Sequence, residues 1–476
     1  MEISSKQRFR SNPIGRLDGV ILVLFFLYGL ASQYFVLTLI AGYVLVVILK
    51  SLWKPFCPPV LLYFISLQWL QVFASILYAD FLGVGIPELF GSHDIEFLFI
   101  MTFLQILVIT LVLKNYVRVT HTLNVTKEKL AEAAERLNTR NIIIAYFVSA
   151  IFVPLIPSLT KGNASLYQLM ISFGILKYMF VGMLVFILLL KRNKNSPLII
   201  GILIFDFIIS FASFFSDFKT LLIMIIVIYF TVNPTLRRDA LLRMLPVVLL
   251  LLLFFSFWSY VKGGYREFLN QGLGRQVKTV SNTDALKYMY NEATTFEVGS
   301  IKEGASVLLS RVQYMERYSE VYYRVPAEIE HQDGKDLASV VEFLLVPRII
   351  NENKGVKDAS VRTSYYTGQE FSNSSQGTSI SMGYFCDLYI DFGLYIMFIP
   401  LILLYILIGI IYQKLITLRK YNIIFVYALT VGFFLSLGAF ESDSLFFLGL
   451  IRNNLAFMVI GYYTFFKFLH KALVNK

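Results

Sequence analysis

Long apolar stretches dominate the chain, without the polar positions at helical spacing that mark amphipathic surface helices. A helix needs about 17–25 apolar residues to cross roughly 30 Å of hydrocarbon. Stretches near that length fall at residues 17–33, 35–52, 58–79, 96–113, 142–158, 166–190, 197–214, 219–233, 246–260, 393–413, 422–440 and 445–466. The pattern predicts an all-α, polytopic membrane fold of about twelve transmembrane helices. The first two are so close that a tight turn must join them, and the eighth is short.

The pattern changes once, between the ninth and tenth stretches. Residues 261–392 carry 14 basic and 17 acidic side chains, and a connection this long is expected to have structure of its own. It reads as one large helical extracytoplasmic loop. Residues 284–296, "DALKYMYNEATTF", predict a helix with Asp284 near its N-cap. In 305–325, "ASVLLSRVQYMERYSEVYYRV", Leu308, Val312, Met315, Ser319 and Tyr322 step by three and four along one helix face, and Pro326 closes it. A third helix, 336–345, starts at an Asp336 cap and stops before Pro347. The polar "YYTGQEFSNSSQGTSISMG" that follows reads as a mobile loop. The chain thus divides into a nine-span region, 1–260, the loop, 261–392, and a three-span region, 393–476. The one other extended soluble stretch, 114–141, alternates Glu128, Glu132 and Glu135 with Lys127, Lys129 and Arg136. It predicts a solvated helix continuing from the fourth span. No internal repeat is visible, whereas many transporters are built from duplicated halves.

A composition 57% hydrophobic and 15% charged, with mean hydropathy +0.67, excludes an ordinary soluble domain. The net charge of +11 would suit a nucleic-acid partner, but its distribution argues against one. Segments 1–16, 50–57, 114–141, 191–195, 234–245, 414–421 and 467–476 hold 24 Lys and Arg against five acids. The alternate short connections hold one Lys, Lys161, and no Arg. Positive residues mark the cytoplasmic side, so both termini are expected to be cytoplasmic. "MEISSKQRFRSNPIGR" reads as a cytoplasmic anchor, not a cleaved signal, since no small-residue cleavage site follows. Cys57 and Cys386 fall on opposite sides of the membrane in this topology, so neither a disulfide nor a metal site is expected from them. No cofactor is expected: there is no His pair at ligand spacing and no Asp-x-Asp, and Asp387 with Asp391 is a weak metal signal by itself.

Charges inside or beside the apolar stretches are the candidates for chemistry. Lys177 and Asp206, on the sixth and seventh stretches, read as an ion pair or as a proton or ion relay. Arg452 stands in "LFFLGLIRNNLAFMVIGYYTFF". It either pairs with Glu441 or Asp443 or captures an anion near the outer surface, for which a planar guanidinium is suited. Lys219 opens the eighth stretch at the same face. In the outer segment, Arg311 lies beside an apolar helix stripe and Arg348 follows Pro347, each open between a surface side chain and a ligand contact. Arg266, in "KGGYREFLNQGLGRQ", stands just above the ninth stretch, as an interfacial anchor or a further anion contact.

Several local features occur in order: "SDFKTLL" opening a span, "RVQYMERYSEVYYRVP", "FLLVPRIINENKG", "SISMGYFCDLYIDFG" and "FLGLIRNNL". With many spans and one large late outer loop, the chain resembles the O-antigen polymerase (Wzy-like) family of oligosaccharide repeat-unit polymerases, over roughly residues 17–466. The resemblance implies a metal-independent membrane glycosyltransferase of the GT-C type in the bacterial inner membrane. Such an enzyme joins undecaprenyl-diphosphate-linked repeat units at the outer face. Its partners would be lipid-linked donor and acceptor, membrane lipid and a chain-length regulator, with no nucleic acid. Lys219, Arg311, Arg348 and Arg452 match basic positions that would hold the diphosphate, with Arg266 beside them. Fixed cations would stabilise the charge on the leaving diphosphate. Asp387 and Glu370 are the candidates to deprotonate the acceptor hydroxyl, and Asp387 reads equally as a structural anchor. An O-antigen ligase of the same architecture and a lipid-linked glycan flippase are the rival readings. A membrane-bound O-acyltransferase is disfavoured, because His93, His121, His331 and His470 all fall outside the spans.

Overall fold

The computed structural model describes residues 17–91, 94–160, 164–191, 195–211, 218–235, 238–273, 278–346, 357–372, 379–437 and 442–475. Among them every regular element is helical, apart from one isolated bridge between Leu137 and Val474. The first region holds α1 (Leu17–Ala31), α2 (Phe35–Leu52), α3 (Val60–Leu82), α4 (Ile86–Phe90), α5 (Ile95–Arg118), α6 (Lys127–Glu135) and α7 (Thr139–Thr160). It continues through α8 (Ala164–Ile171), α9 (Gly174–Leu190), α10 (Ser196–Phe211), α11 (Phe218–Val232) and α12 (Arg238–Asn270). The polar segment forms α13 (Asn282–Thr295), α14 (Val298–Val312), α15 (Met315–Arg324), α16 (Lys335–Leu345), α17 (Ala359–Thr367) and α18 (Tyr384–Ile396). The chain then runs through α19 (Phe398–Ile416), α20 (Ile423–Leu435), α21 (Ser444–Tyr463) and α22 (Phe466–Leu473).

Seven of these are long and apolar enough to cross a membrane: α2, α3, α5, α7, Val248–Asn270 of α12, α19 and α21. The helices α1, α9, α10, α11 and α20 are apolar but shorter. The chain is therefore an all-α protein of the membrane class. Its core lies where α3, α5, α9, α19 and α20 meet. Ile424 to Phe434 of α20 are all buried, which explains why that helix is apolar on every side. Gln68, buried in this core, donates through Nε2 to the hydroxyls of Tyr384, at 2.6 Å, and Tyr405, at 2.7 Å.

Local breaks depart from the expected helices, and each has a tertiary cause. The helix expected over 305–325 is two. At Gln313 the backbone turns extended, Tyr314 N–H donates to Gln71 O at 3.0 Å, and Met315 N–H reaches Ser75 Oγ at 3.4 Å. Acceptors on α3 replace those the continuous helix would have supplied. The stretch 393–413 is not one helix from its start: Gly393, inside the range of α18, adopts φ 66°, open only to glycine, and kinks the chain there, so that α19 runs only from Phe398. The stretch 166–190 breaks between α8 and α9, where the Phe173 ring packs on Phe152, Phe457 and Phe465. The solvated helix expected over 114–141 is interrupted. A 3-10 turn over Val119–Leu123 ends at left-handed Asn124, and α6 begins afresh with Thr126 Oγ1 accepting from Lys129 N–H. Leu130 and Ala134 on α6 are buried, so only part of it is solvated. The N-terminal segment 1–16, Arg348, Glu441 and residues 373–378 of the polar loop lie outside the described residues.

A smaller apolar cluster joins the start of α11 to the end of α12 and to α13: Phe218, Trp258, Val261, Tyr265, Leu269, Ala285 and Met289. Stacking of Phe268 on Tyr288 and edge contact of Phe257 with Phe296 lay α13 antiparallel on α12. Helix α14 then packs between α12 and α3. The approach is close at Gly304, where a Cβ would stand 2.5 Å from Ser256 O. Gly304→Ala is expected to push α14 off α12 and cost about 1–3 kcal/mol of stability. The check is a lower thermal midpoint in detergent.

Candidate functional site

Lys262 and Arg266 lie one turn apart on α12, beside the buried row of Val261, Tyr265 and Leu269. The apolar row fixes the helix against α11 and α13 and leaves both cations half-buried at its edge. Lys219, exposed in the first turn of α11, and Arg311, exposed in the last turn of α14, complete the group. Lys262 experiences the positive fields of Arg266, Lys219 and Arg311, and Arg266 that of Arg311. Three residues singled out from sequence thus come together at one end of three helices. Lys262 is the member that sequence reading missed. The available signal is its i, i+4 spacing to Arg266 in "KGGYR". Like charges at Arg266, Lys219 and Arg311 oppose the Lys262 ammonium, and the same positive field attracts an anion.

Arg452 sits elsewhere, on the face of α21 that packs against α16. Its Nη1 donates to Leu344 O at 2.8 Å, in the last turn of α16, and Nε and Nη2 donate to Asn453 Oδ1 at 3.1 and 2.8 Å. A guanidinium at a helix C-terminus meets carbonyls that lack helical partners and the negative end of the dipole. That contact helps to offset the cost of placing Arg452 in an apolar helix. Arg348 lies outside the described residues, and Glu370 is exposed on the loop after α17.

Asp387 is 5% exposed and doubly engaged. Its Oδ1 accepts from Arg362 Nη1, and its Oδ2 accepts from Ser444 N–H at 2.6 Å, at the start of α21. Arg362, on α17, also donates through Nη2 to Asp336 Oδ2 at 2.7 Å. Asp391 receives Asp336 N–H and Leu337 N–H, at 3.1 and 2.7 Å, and so caps α16 from a neighbouring helix. Burial opposes the charge on Arg362, but Asp387 and Asp336 more than outweigh it and raise its pKa. A pocket of about 110 Å³ opens here beside Asp336, Arg362, Asp387 and Asp443. Sequence reading missed Arg362, because nothing in "SVRTSYYTG" places it against a distant carboxylate. Among the described residues no three His, Cys, Asp or Glu gather as a metal site requires.

Asp443 caps α21 by accepting from Phe446 N–H at 2.6 Å. Its pKa is raised, first by burial and then by the charge of Asp387. A carboxyl raised on folding favours the folded state while protonated. That contribution is lost as pH rises from the ordinary value near 3.8 through the folded value. Asn caps as well as Asp. Asp443→Asn is therefore expected to raise the thermal midpoint at neutral pH, with the gain shrinking as pH falls toward the ordinary value. Melting curves at several pH values check it.

Helices of this apolarity, with cations gathered where the ends of three helices meet and an ion-paired polar segment, define a membrane protein with a candidate anion site. Residues 95–472 match the family described as a domain of unknown function, DUF8712, and the chain belongs to that family. No curated protein and no solved structure matches it.

Proposed function

We propose that this protein is a membrane glycosyltransferase that joins oligosaccharide repeat units carried on a lipid diphosphate, the undecaprenyl carrier of the bacterial inner membrane. The reading rests on one observation, the convergence of Lys219, Lys262, Arg266 and Arg311. In the proposed topology the seven long apolar helices and the five shorter ones all cross, giving twelve spans with both termini cytoplasmic. The ends of α11, α12 and α14 that carry the cations then face outward. The donor's diphosphate sits among them. As the acceptor hydroxyl attacks the anomeric carbon, the bond to diphosphate breaks, and negative charge grows on the leaving oxygen. Fixed cations stabilise that charge without reorganising. The acceptor proton goes to a carboxylate, for which Asp387 and Glu370 are the candidates. Asp387's engagement by Arg362 and Ser444 suits an anchoring role as well.

The test is incubation of purified protein with lipid-linked repeat units and separation of products on a gel. A ladder of oligomers is the expected result. Transfer only to an added lipid-core acceptor would favour the ligase reading, and no transfer to either would overturn the proposal.

A further inference from the structure

Several charges in and beside the apolar helices are matched. Lys177 Nζ meets Asp206 Oδ1 at 2.8 Å, Lys50 in the last turn of α2 pairs with Asp18, and Lys191 meets Glu135 at 3.2 Å. One group of cations is not. Lys54 lies just past α2, and Lys114 and Arg118 lie one turn apart at the end of α5. Among the described residues no carboxylate pairs with any of the three. The fold draws them together. Helix α2 packs along α5, and in the turn after α2 Cys57 N–H donates to Lys54 O at 3.4 Å. The Cys57 thiol is hydrogen-bonded to Thr120, in the 3-10 turn that follows Arg118, which pins the turn carrying Lys54 on the end of α5. Burial lowers the pKa of Lys54, and the positive charges of Arg118 and then Lys114 lower it further.

Arg118 also ends an apolar face. Phe97, Ile100, Leu104 and Leu111 step by three, four and seven along α5, and all four are exposed. The same face continues through Asn115 to Arg118, both exposed as well. Uncovered hydrocarbon that leads into three uncompensated cations matches the two chemistries of an anionic phospholipid, its tails and its phosphate. Ammonium and guanidinium groups suit phosphate oxygens. Basic pockets between membrane helices on the cytoplasmic side take such headgroups, and in the proposed topology this end of α2 and α5 is cytoplasmic.

We propose that the ends of α2 and α5 form a binding site for one anionic phospholipid, with its phosphate held by Lys54, Lys114 and Arg118 and an acyl chain lying along the exposed face of α5. The site requires only that these helix ends reach a membrane surface. It does not depend on the glycosyltransferase reading.

The experiment follows thermal unfolding of the delipidated full chain in a nonionic detergent, with phosphatidylglycerol or phosphatidylcholine added at the same mole fraction. Phosphatidylglycerol should raise the midpoint by about 2 °C or more above phosphatidylcholine, since a ligand of the folded state stabilises it by mass action. Inorganic phosphate at millimolar concentration should not, because it lacks the tails. Lys54→Gln with Arg118→Gln should remove most of the rise. Lys467→Gln with Lys471→Gln, on exposed positions of α22, removes the same charge and should keep it. Equal midpoints in the two lipids would overturn the proposal, and that comparison needs no variant. So would an undiminished rise in the first double variant, or loss of the rise in both. A rise in inorganic phosphate equal to that in phosphatidylglycerol would assign the cations to a free anion and overturn the lipid site.

Discussion

Arg311→Ala is expected to slow chain extension about 10²–10³-fold, equivalent to roughly 2.7–4 kcal/mol of lost stabilisation where charge develops. Cells carrying it should display single repeat units in place of long chains. The side chain stands exposed in the last turn of α14 and is no part of the apolar contacts that hold that helix. Loss of a fold is therefore a poor explanation for any loss of rate. Electrostatics sharpens the distinction. Arg311 repels Lys262 and Arg266, so removing it eases the protein without substrate, and the thermal midpoint should hold or rise while the rate falls. A purely structural arginine would lower both. Arg311→Lys should recover part of the rate, since a lysine keeps the charge and loses the planar fork. Lys302→Ala, exposed on the same helix, should leave the rate unchanged. The measurement is the initial rate of lipid-linked oligomer formation by gel, with melting curves on the same preparations. A normal ladder from Arg311→Ala would count decisively against the cation site.

What could be read from the sequence follows from the range of each interaction. Apolar stretches such as 58–79 and 96–113 identify α3 and α5 because insolubility in water is a property of the stretch itself. Lys177 and Asp206 could be paired in advance because consecutive helices bring them together and an isolated charge there is costly. The break at Gln313 could not. The apolar stripe runs through it unchanged, and what stops the helix is Gln71 and Ser75 on α3, more than two hundred residues away. The same holds for Arg452, whose acceptor is a backbone carbonyl of α16 and leaves no trace in side-chain pattern. Lys219, Arg266 and Arg311 were visible one at a time as basic residues near apolar edges. Their convergence depends on α14 packing against α12 across Gly304, a contact that only the fold supplies.

The junction around Arg362 carries the second large expected effect. This side chain ties α17 to α16 through Asp336 and to α18 through Asp387, which in turn receives the first N–H of α21. Its guanidinium also lies 5.3 Å from the centre of the Tyr366 ring. Arg362→Met keeps length and apolar bulk but leaves Asp387, whose side chain is 6% exposed, without its cation. Breaking a buried pair in this way costs about 3–5 kcal/mol. The Arg362 side chain is itself 31% exposed, so solvent screening brings the expectation down to about 2–3 kcal/mol. Arg362→Met with Asp387→Asn removes the orphaned charge too, and should recover much of the loss. That would give a double-mutant coupling well beyond additivity. Thermal unfolding together with limited proteolysis across 357–372 would read it. Equal deficits for the single and double variants would mean that the carboxylate is not held by this arginine.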